Sequence, residues 1–371
     1  MQKLTGLERI LKTVKHQEPD RVPHFELLID KKVRDAIMHD TNASYADFIE
    51  YMDIDAIMVF DKTMTWSYET LDAAKGIKRD QWGGIIRFTT TDLGHPMEPA
   101  IKSEKDLDTY VPPDPDLDWR YDELKRLVKR FKGERAVIAH CTDVFDIAKE
   151  CLLGDVTYFK AMIKNPDIID RVNEIVTNYE LRFFKNCLDV GADIIFVSGD
   201  WAMTKGPMVS REFTKRFIAP PFQRIAELAH SRGVPCFKHS DGNIWPIYDI
   251  IIDAGADGIH PIDPMAGMDI GEAKAVFGDK VCLCGNVSCA FSLVTGTTDE
   301  VRQETKEVIR KAGKGGGLIC MSSNSIHSGV RPENYVAMIK AIRDYGKYPL
   351  EDHFDNLVIP GKKCHNYPER L

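Results

Sequence analysis

The chain has 371 residues, 43% of them hydrophobic and 29% charged, enough apolar side chain to bury a large core. Its 49 basic and 57 acidic residues give a net charge of -8, which argues against nucleic acid or an anionic membrane as a partner. No apolar run reaches the roughly 18 residues of a membrane span, and the start, MQKLTGLERILKTVKHQ, reads as an amphipathic helix without a secretory core. The nine cysteines form no regular framework and are odd in number, so free thiols or metal ligands are expected in a cytoplasmic protein.

In chain order, eight short β-rich runs alternate with helical periodicity: 22–27, 55–60, 136–140, 193–197, 234–239, 257–260, 280–284 and 317–321. Helix-type spacing fills the gaps, as over 212–229 and 298–312. Such alternation predicts βαβ units and an α/β fold, a single (β/α)8 TIM barrel over residues 1–371. One long insertion, 61–135, follows the second strand. Its stretch GIKRDQWGGIIRF predicts a β-hairpin turning at Gly83 and Gly84, and insertions at this end of a strand commonly form lids. The phrase GAD recurs at 191–193 and 255–257, before the fourth and sixth runs, and reads as a helix stop plus strand start, a stability feature.

Function in such a barrel concentrates where strands end. Those ends carry Glu26, Asp61, His140 with Cys141, Asp200, His239 with Asp241, His260 with Asp263, Cys284 and Cys320, with His327 in the last loop. The sharpest group is HSDGN at 239–243. His239 and Asp241, two apart on an extended chain, face one way and are zinc-ligand types, with Cys284 and Cys320 on later strands to complete a tetrahedral set. The other reading is a buried His–Asp hydrogen bond with the cysteines packed as small hydrophobes. Cys282 and Cys284 are read as pointing to opposite sides of their strand, Cys284 inward, and Cys289 as inert. His260 and Asp263 in HPIDP, Glu26, Asp200 and Asn324 are expected to line a substrate site. Trp66 and Trp201 join them on the upper loops, where aromatic rings suit a planar ligand.

The motifs LERILKTVKHQEPDRVPHF, RDQWGGIIRF, DLDTYVPPDPD and VSREFTKRFIAPPFQRI resemble the uroporphyrinogen-decarboxylase-like superfamily, which includes cobalamin-dependent methyltransferases. The resemblance continues through FKHSDGNIWPIYDIIIDAGADGIHPIDP, VCLCGNVS and SIHSGVRPENYVAMIKAIR, nearly the whole chain. The decarboxylases' arginine pair, in R-Q-A-G-R, is absent from the corresponding HFELLIDKKVRDA, while Asp61 and His327 fall near that family's pyrrole-binding aspartate and late histidine. Related methyltransferases hold zinc with H-x-C and a late cysteine. Here Asp241 replaces the first cysteine, and the set is similar to that of the bacterial O-demethylase methyltransferases. The resemblance thus implies methyl transfer from a methyl ether, such as a methoxylated aromatic, to the cobalt of a separate corrinoid protein. Zinc, or His239 or His327 as general acid, would assist the leaving oxygen; no corrinoid-binding D-x-H-x-x-G occurs in the chain. The alternative is a metal-independent decarboxylase acting on a smaller acid, with Asp61 and His327 as its catalytic groups. A homodimer is left open, since related barrels often dimerise.

Overall fold

The computed structural model describes residues 3–62, 68–88 and 94–350. Seven of the eight predicted runs are parallel strands of one sheet. They are β1 (Ala56–Phe60), β6 (Ala136–Thr142), β7 (Ile194–Ser198), β10 (Cys236–His239), β11 (Gly258–His260), β12 (Cys282–Val287) and β13 (Leu318–Ser322), hydrogen-bonded in that order. The insertion holds β2 (Glu69–Asp72), β3 (Ile77–Arg79), β4 (Ile85–Phe88) and β5 (Gly94–Glu98), a separate antiparallel sheet with Gly83 and Gly84 between β3 and β4, as expected. A two-residue hairpin, β8 (Ala202–Met203) with β9 (Gly206–Pro207), follows β7.

The first predicted run, 22–27, is not a strand, so the sheet has seven strands and not eight. Pro23 has no N–H to give, and Glu26 meets the Ser322 N–H with its side chain instead of its backbone. The segment nevertheless joins the two edges of the sheet. The Asp55 N–H donates to the His24 carbonyl beside β1, and the Cys320 N–H donates to the Pro23 carbonyl on β13, each at 3.0 Å. Just beyond, Ile29 bridges Ile326 in parallel sense.

Aspartates placed immediately before strands set the register. The Asp193 carboxylate accepts the Val137 N–H (2.9 Å) and that of Asp257 accepts the Cys236 N–H (2.7 Å), each at the start of the neighbouring strand. Asp55 does the same for His24 at 2.8 Å, which seats the 22–27 segment as a strand would be seated. Asp55 is wholly buried, and Arg9 and Arg21 neutralise it at 2.5 and 2.8 Å. The GAD phrases therefore work as registration pins. Their glycines stop helices in the left-handed region, Gly191 with φ 112° and Gly255 with φ 99°.

Predicted helix 298–312 is observed as Thr298–Ala312, opened by a reciprocal cap between Thr297 and Glu300. The one predicted over 212–229 is three pieces: Arg211–Phe213, a π turn at Thr214–Ile218, and Ala219–Ser231. Pro220 and Pro221 cannot donate to the preceding turn, which is where the wider π turn falls. No helix among the described residues is long and apolar enough to cross a membrane.

Side chains alternate along the strands. One face packs inward around the Phe25, Phe196 and Phe237 rings, with centroids 6.3–6.4 Å apart. Toward the C-terminal strand ends that face becomes polar: His140 lies 6.0 Å and His260 6.1 Å from the Phe196 ring, and His239 stacks on His260 at 5.0 Å. The opposite face meets the helices.

Candidate metal centre

β10 ends at His239, and the chain turns sharply through Ser240, Asp241 and Gly242. Gly242 has φ 87°, and a Cβ there would stand 2.7 Å from the Ala202 backbone. Only glycine lets this loop lie against the one after β7. Carboxylates then stitch three loops together. Asp200 accepts the Asp241 N–H at 2.8 Å, Asp263 accepts the Gly242 N–H at 3.0 Å, and the Asn243 N–H donates to the Met203 carbonyl.

This stitching converges on one point. His239 Nε2 lies 3.7 Å from Asp200 Oδ1 and 3.7 Å from Asp241 Oδ1. Asn324 Nδ2 donates to the other Asp241 oxygen at 2.5 Å, while Asp241 Oδ1 is buried without a hydrogen-bond partner. Among the described residues, Asp200, His239 and Asp241 are the single group of three such side chains whose ligand atoms all lie within 4.8 Å of one another.

Electrostatics at the cluster favour a cation. Burial, reinforced by the Asp200 and Asp263 charges and opposed by Asn324, pushes the Asp241 carboxyl up to about 8. Burial, with Lys238 and His140 nearby, pushes His239 down to about 3. His239 is therefore neutral at physiological pH, the form that binds metals and a poor general acid. His239 Nδ1 and His260 Nδ1 are 2.7 Å apart, so one donates and the other accepts. With the proton on His239 Nδ1, its Nε2 lone pair is free for a cation, and His260 carries its own proton on Nε2, near the Ser322 backbone. Two carboxylates and one imidazole with an unpartnered oxygen fit a divalent cation with an open coordination position.

The remaining predicted residues divide. Asn324, His260 and Asp263 sit around the cluster; Asp263 also caps the Met265 N–H at 2.8 Å. Asp200, expected beside substrate, joins the candidate ligands instead. The cysteines do not join them. Positions two apart on a strand share a face, so Cys282 and Cys284 lie side by side, and both face Tyr248 in the helix layer. β12 moreover runs on to Val287, so Cys284 is not a strand end. Cys320 sits near Glu26 and Glu304, and Cys289, read as inert, is the cysteine nearer Asp241.

Asp61 also turns away, accepting from the Tyr179 hydroxyl at 3.0 Å with Arg120 at 3.7 Å. Trp201 is buried, its Nε1–H donated to Asp143 at 3.1 Å. His327 is exposed at the rim, Nε2 donating to the Cys289 carbonyl and Nδ1 accepting from Gly329. Trp66 lies outside the described residues.

Glu26 is enclosed by Ser322, which donates to it at 2.6 Å, and by His24, Tyr45 and Tyr335. Burial pushes its carboxyl up to about 8 against the Ser322 hydrogen bonds. The folded state thus keeps a proton that the unfolded chain loses near pH 4.5. This group's contribution is fully present below that pH and is lost as pH rises through about 8. Glu26→Gln keeps an acceptor for Ser322 and cannot titrate. Urea melts at half-unit pH steps are expected to show its stability falling less steeply between pH 5 and 8, by up to about 1.4 kcal/mol per pH unit. Parallel profiles would show that Glu26 is ionised in the folded protein.

A parallel α/β sheet with polar side chains gathered at the C-terminal ends of its strands, where two carboxylates and an imidazole meet beside a third carboxylate, is the arrangement found in α/β-barrel enzymes. A model of the uroporphyrinogen decarboxylase (URO-D) family matches residues 79–345, and the chain belongs to that family. Curated relatives titled uroporphyrinogen decarboxylase include those of Psychromonas ingrahamii, 22% identical over 70% of this chain and 74% of theirs, and Hydrogenovibrio crunogenus, 24% over 71% and 75%. Among solved structures, a methyltransferase from Methanosarcina mazei shares the fold with a TM-score of 0.72 and 19% identity. The match covers 92% of this chain and 99% of that one.

Proposed function

We propose that this chain is a metal-dependent methyltransferase of the superfamily's cobalamin branch, with residues 22–27 standing where an eighth barrel strand would. It would move a methyl group from a methyl ether, such as a methoxylated aromatic, to the cobalt of a separate corrinoid protein. The observation that carries this reading is the meeting of His239 Nε2 with the unpartnered Asp241 Oδ1 and with Asp200 at the strand ends. The Asp200 and Asp263 carboxylates beside Asp241, with no arginine pair after residue 22, disfavour a polyanionic tetrapyrrole and favour a cation. Large apolar side chains stand exposed on the surrounding loops, Met203 at 64%, Met265 at 46% and Phe291 at 61%, as a docking partner would require.

Asp200, His239 and Asp241 would hold the metal, zinc being the simplest choice. When bound, it supplies a Lewis acid that polarises the ether oxygen and eases its departure. His260 fixes the His239 ring and tautomer from below, and Asn324 holds the Asp241 carboxylate from the side. The buried Phe196 and Phe237 rings back the His140 and His260 layer with apolar surface and keep water from beneath it. His327 is the proposed donor of a proton to the leaving alkoxide, and to deliver it the ring would have to release the Cys289 carbonyl that its Nε2–H now meets.

The test is an anaerobic assay of the zinc-loaded protein with methoxylated benzoates and a reduced corrinoid protein, read as growth of the methylcobalt absorbance. Turnover that needs both zinc and corrinoid supports the proposal. Carbon dioxide release from a small carboxylic acid, with neither present, would replace it with the decarboxylase reading.

A further inference from the structure

Lys238 lies in the middle of a buried strand, is 0% exposed, and takes no part in the chemistry above. Its neighbours on β10 are the interior residues Phe237 and His239, so Lys238 itself points to the helix side. A buried ammonium is costly where a valine or isoleucine would pack, unless all of its protons are used. All three are. Lys238 Nζ donates to the Gly199 carbonyl at 2.7 Å and to the His239 carbonyl at 2.7 Å, and it pairs with Asp143 Oδ2 at 3.0 Å. It also sits 4.9 Å from the centre of the Trp201 ring.

Those acceptors are specific to the centre. Gly199 immediately precedes Asp200, and the His239 carbonyl belongs to a candidate ligand. The β7–β10 ladder pairs Ser198 with His239 as its last residues, so the ammonium takes over at the point where strand pairing ends. Asp143 closes the unit by accepting the Trp201 Nε1–H, and Ser240 Oγ accepts the Trp201 N–H at 2.9 Å. Gly199 must be glycine for this fit, since a Cβ there would lie 2.3 Å from that of Asp143.

We propose that Lys238 is a positioning residue, the tether that holds the segments bearing Asp200 and His239 in one frame so that their ligand atoms converge. The inference rests on the metal-centre reading. Loss of the tether lets the 199–201 loop drift from β10 and loosens the centre without removing a ligand.

Lys238→Met alone strands the Asp143 charge and risks unfolding, so the informative protein is Lys238→Met with Asp143→Asn, beside Asp143→Asn alone. In the double variant both buried charges leave together; an asparagine oxygen still serves Trp201, and the acceptor that Asp143 Oδ1 offered the Phe145 N–H is lost equally in both proteins, so their difference reads Lys238. Three readouts are taken on the full chain: the zinc dissociation constant by chelator competition, the visible spectrum of the cobalt(II)-loaded protein, and hydrogen exchange of residues 199–203 and the Asp241 amide without metal. The double variant is expected to bind zinc about 10- to 100-fold more weakly, with altered cobalt bands and faster exchange; Asp143→Asn is less stable toward urea but, keeping the Lys238 contacts to the Gly199 and His239 carbonyls, stays near wild type in zinc affinity. Zinc affinity within twofold of wild type with an unchanged cobalt spectrum would overturn the proposal, whether or not exchange quickens. Should the wild-type protein take up no metal, the metal reading itself fails. The tether is then judged by exchange alone: faster exchange at Asp241, whose amide is bound to Asp200, supports it, and unchanged exchange overturns it.

Discussion

Asp241→Asn is expected to lose bound zinc, with a dissociation constant raised at least about 100-fold and methyl transfer reduced by a similar or larger factor. The substitution is nearly isosteric and leaves an oxygen for the Asn324 amide, so the loop has no steric reason to move. What it removes is the second anionic ligand, the oxygen that faces His239 at 3.7 Å. It also relieves the burial cost, and with it the repulsion from Asp200 and Asp263, that push this carboxyl up to about 8. The metal-free variant should therefore be at least as stable as wild type toward urea. That opposition of signs, weaker metal binding with equal or greater stability, separates a ligand from a merely structural residue. Cys284→Ala and Cys320→Ala supply the contrast: each should keep zinc affinity within about twofold, because their thiols face Tyr248 and the Glu304 side of the sheet. Weaker stability with intact metal affinity in Asp241→Asn would refute the ligand assignment.

The largest expected effect on stability is at the other end of the sheet. Asp55→Ala should cost about 3–5 kcal/mol, the usual cost of breaking a buried charge network from one side. It strands the Arg9 and Arg21 guanidinium groups and takes the acceptor from the His24 N–H. Because Asp55 seats the 22–27 segment beside β1, the loss should also loosen the junction between the sheet's two edges. The urea midpoint and hydrogen exchange of residues 22–27 measure the two effects together. A change below about 1 kcal/mol would mean that Arg9 and Arg21 find Asp20 and Asp53 sufficient.

Much of the architecture was legible because hydrophobic period and strand spacing are local properties. Seven runs became parallel strands, and the Gly83–Gly84 turn fell inside an antiparallel sheet. Residues 22–27 failed as a strand for a reason also present in the sequence, Pro23, whose missing N–H outweighs the flanking apolar pattern. Of the residues read from strand ends, His239, Asp241, Asp200, His260 and Asp263 lie around one point, joined by Asn324 from the last polar loop. Asp61 and Glu26 point elsewhere, because a strand-end position does not fix which face a side chain takes, and Trp201, read as an upper-loop aromatic, is buried against Asp143. The two-residue period alone puts Cys282 and Cys284 on one face, which corrects the expectation that they point to opposite sides. Convergence of Asp200 with His239 was not legible, since it depends on glycine-permitted contact between the loops after β7 and β10. Lys238 left one signal, a lone charge inside the buried strand CFKH.

The account turns on which atoms hold the metal, and X-ray absorption at the zinc edge reads that directly. Protein loaded with one equivalent of zinc is expected to show a first shell of nitrogen and oxygen alone, at about 2.0–2.2 Å. Such a shell, lost in Asp241→Asn, is what Asp200, His239 and Asp241 predict. A sulfur shell at about 2.3 Å would place a cysteine on the metal and contradict the geometry described above.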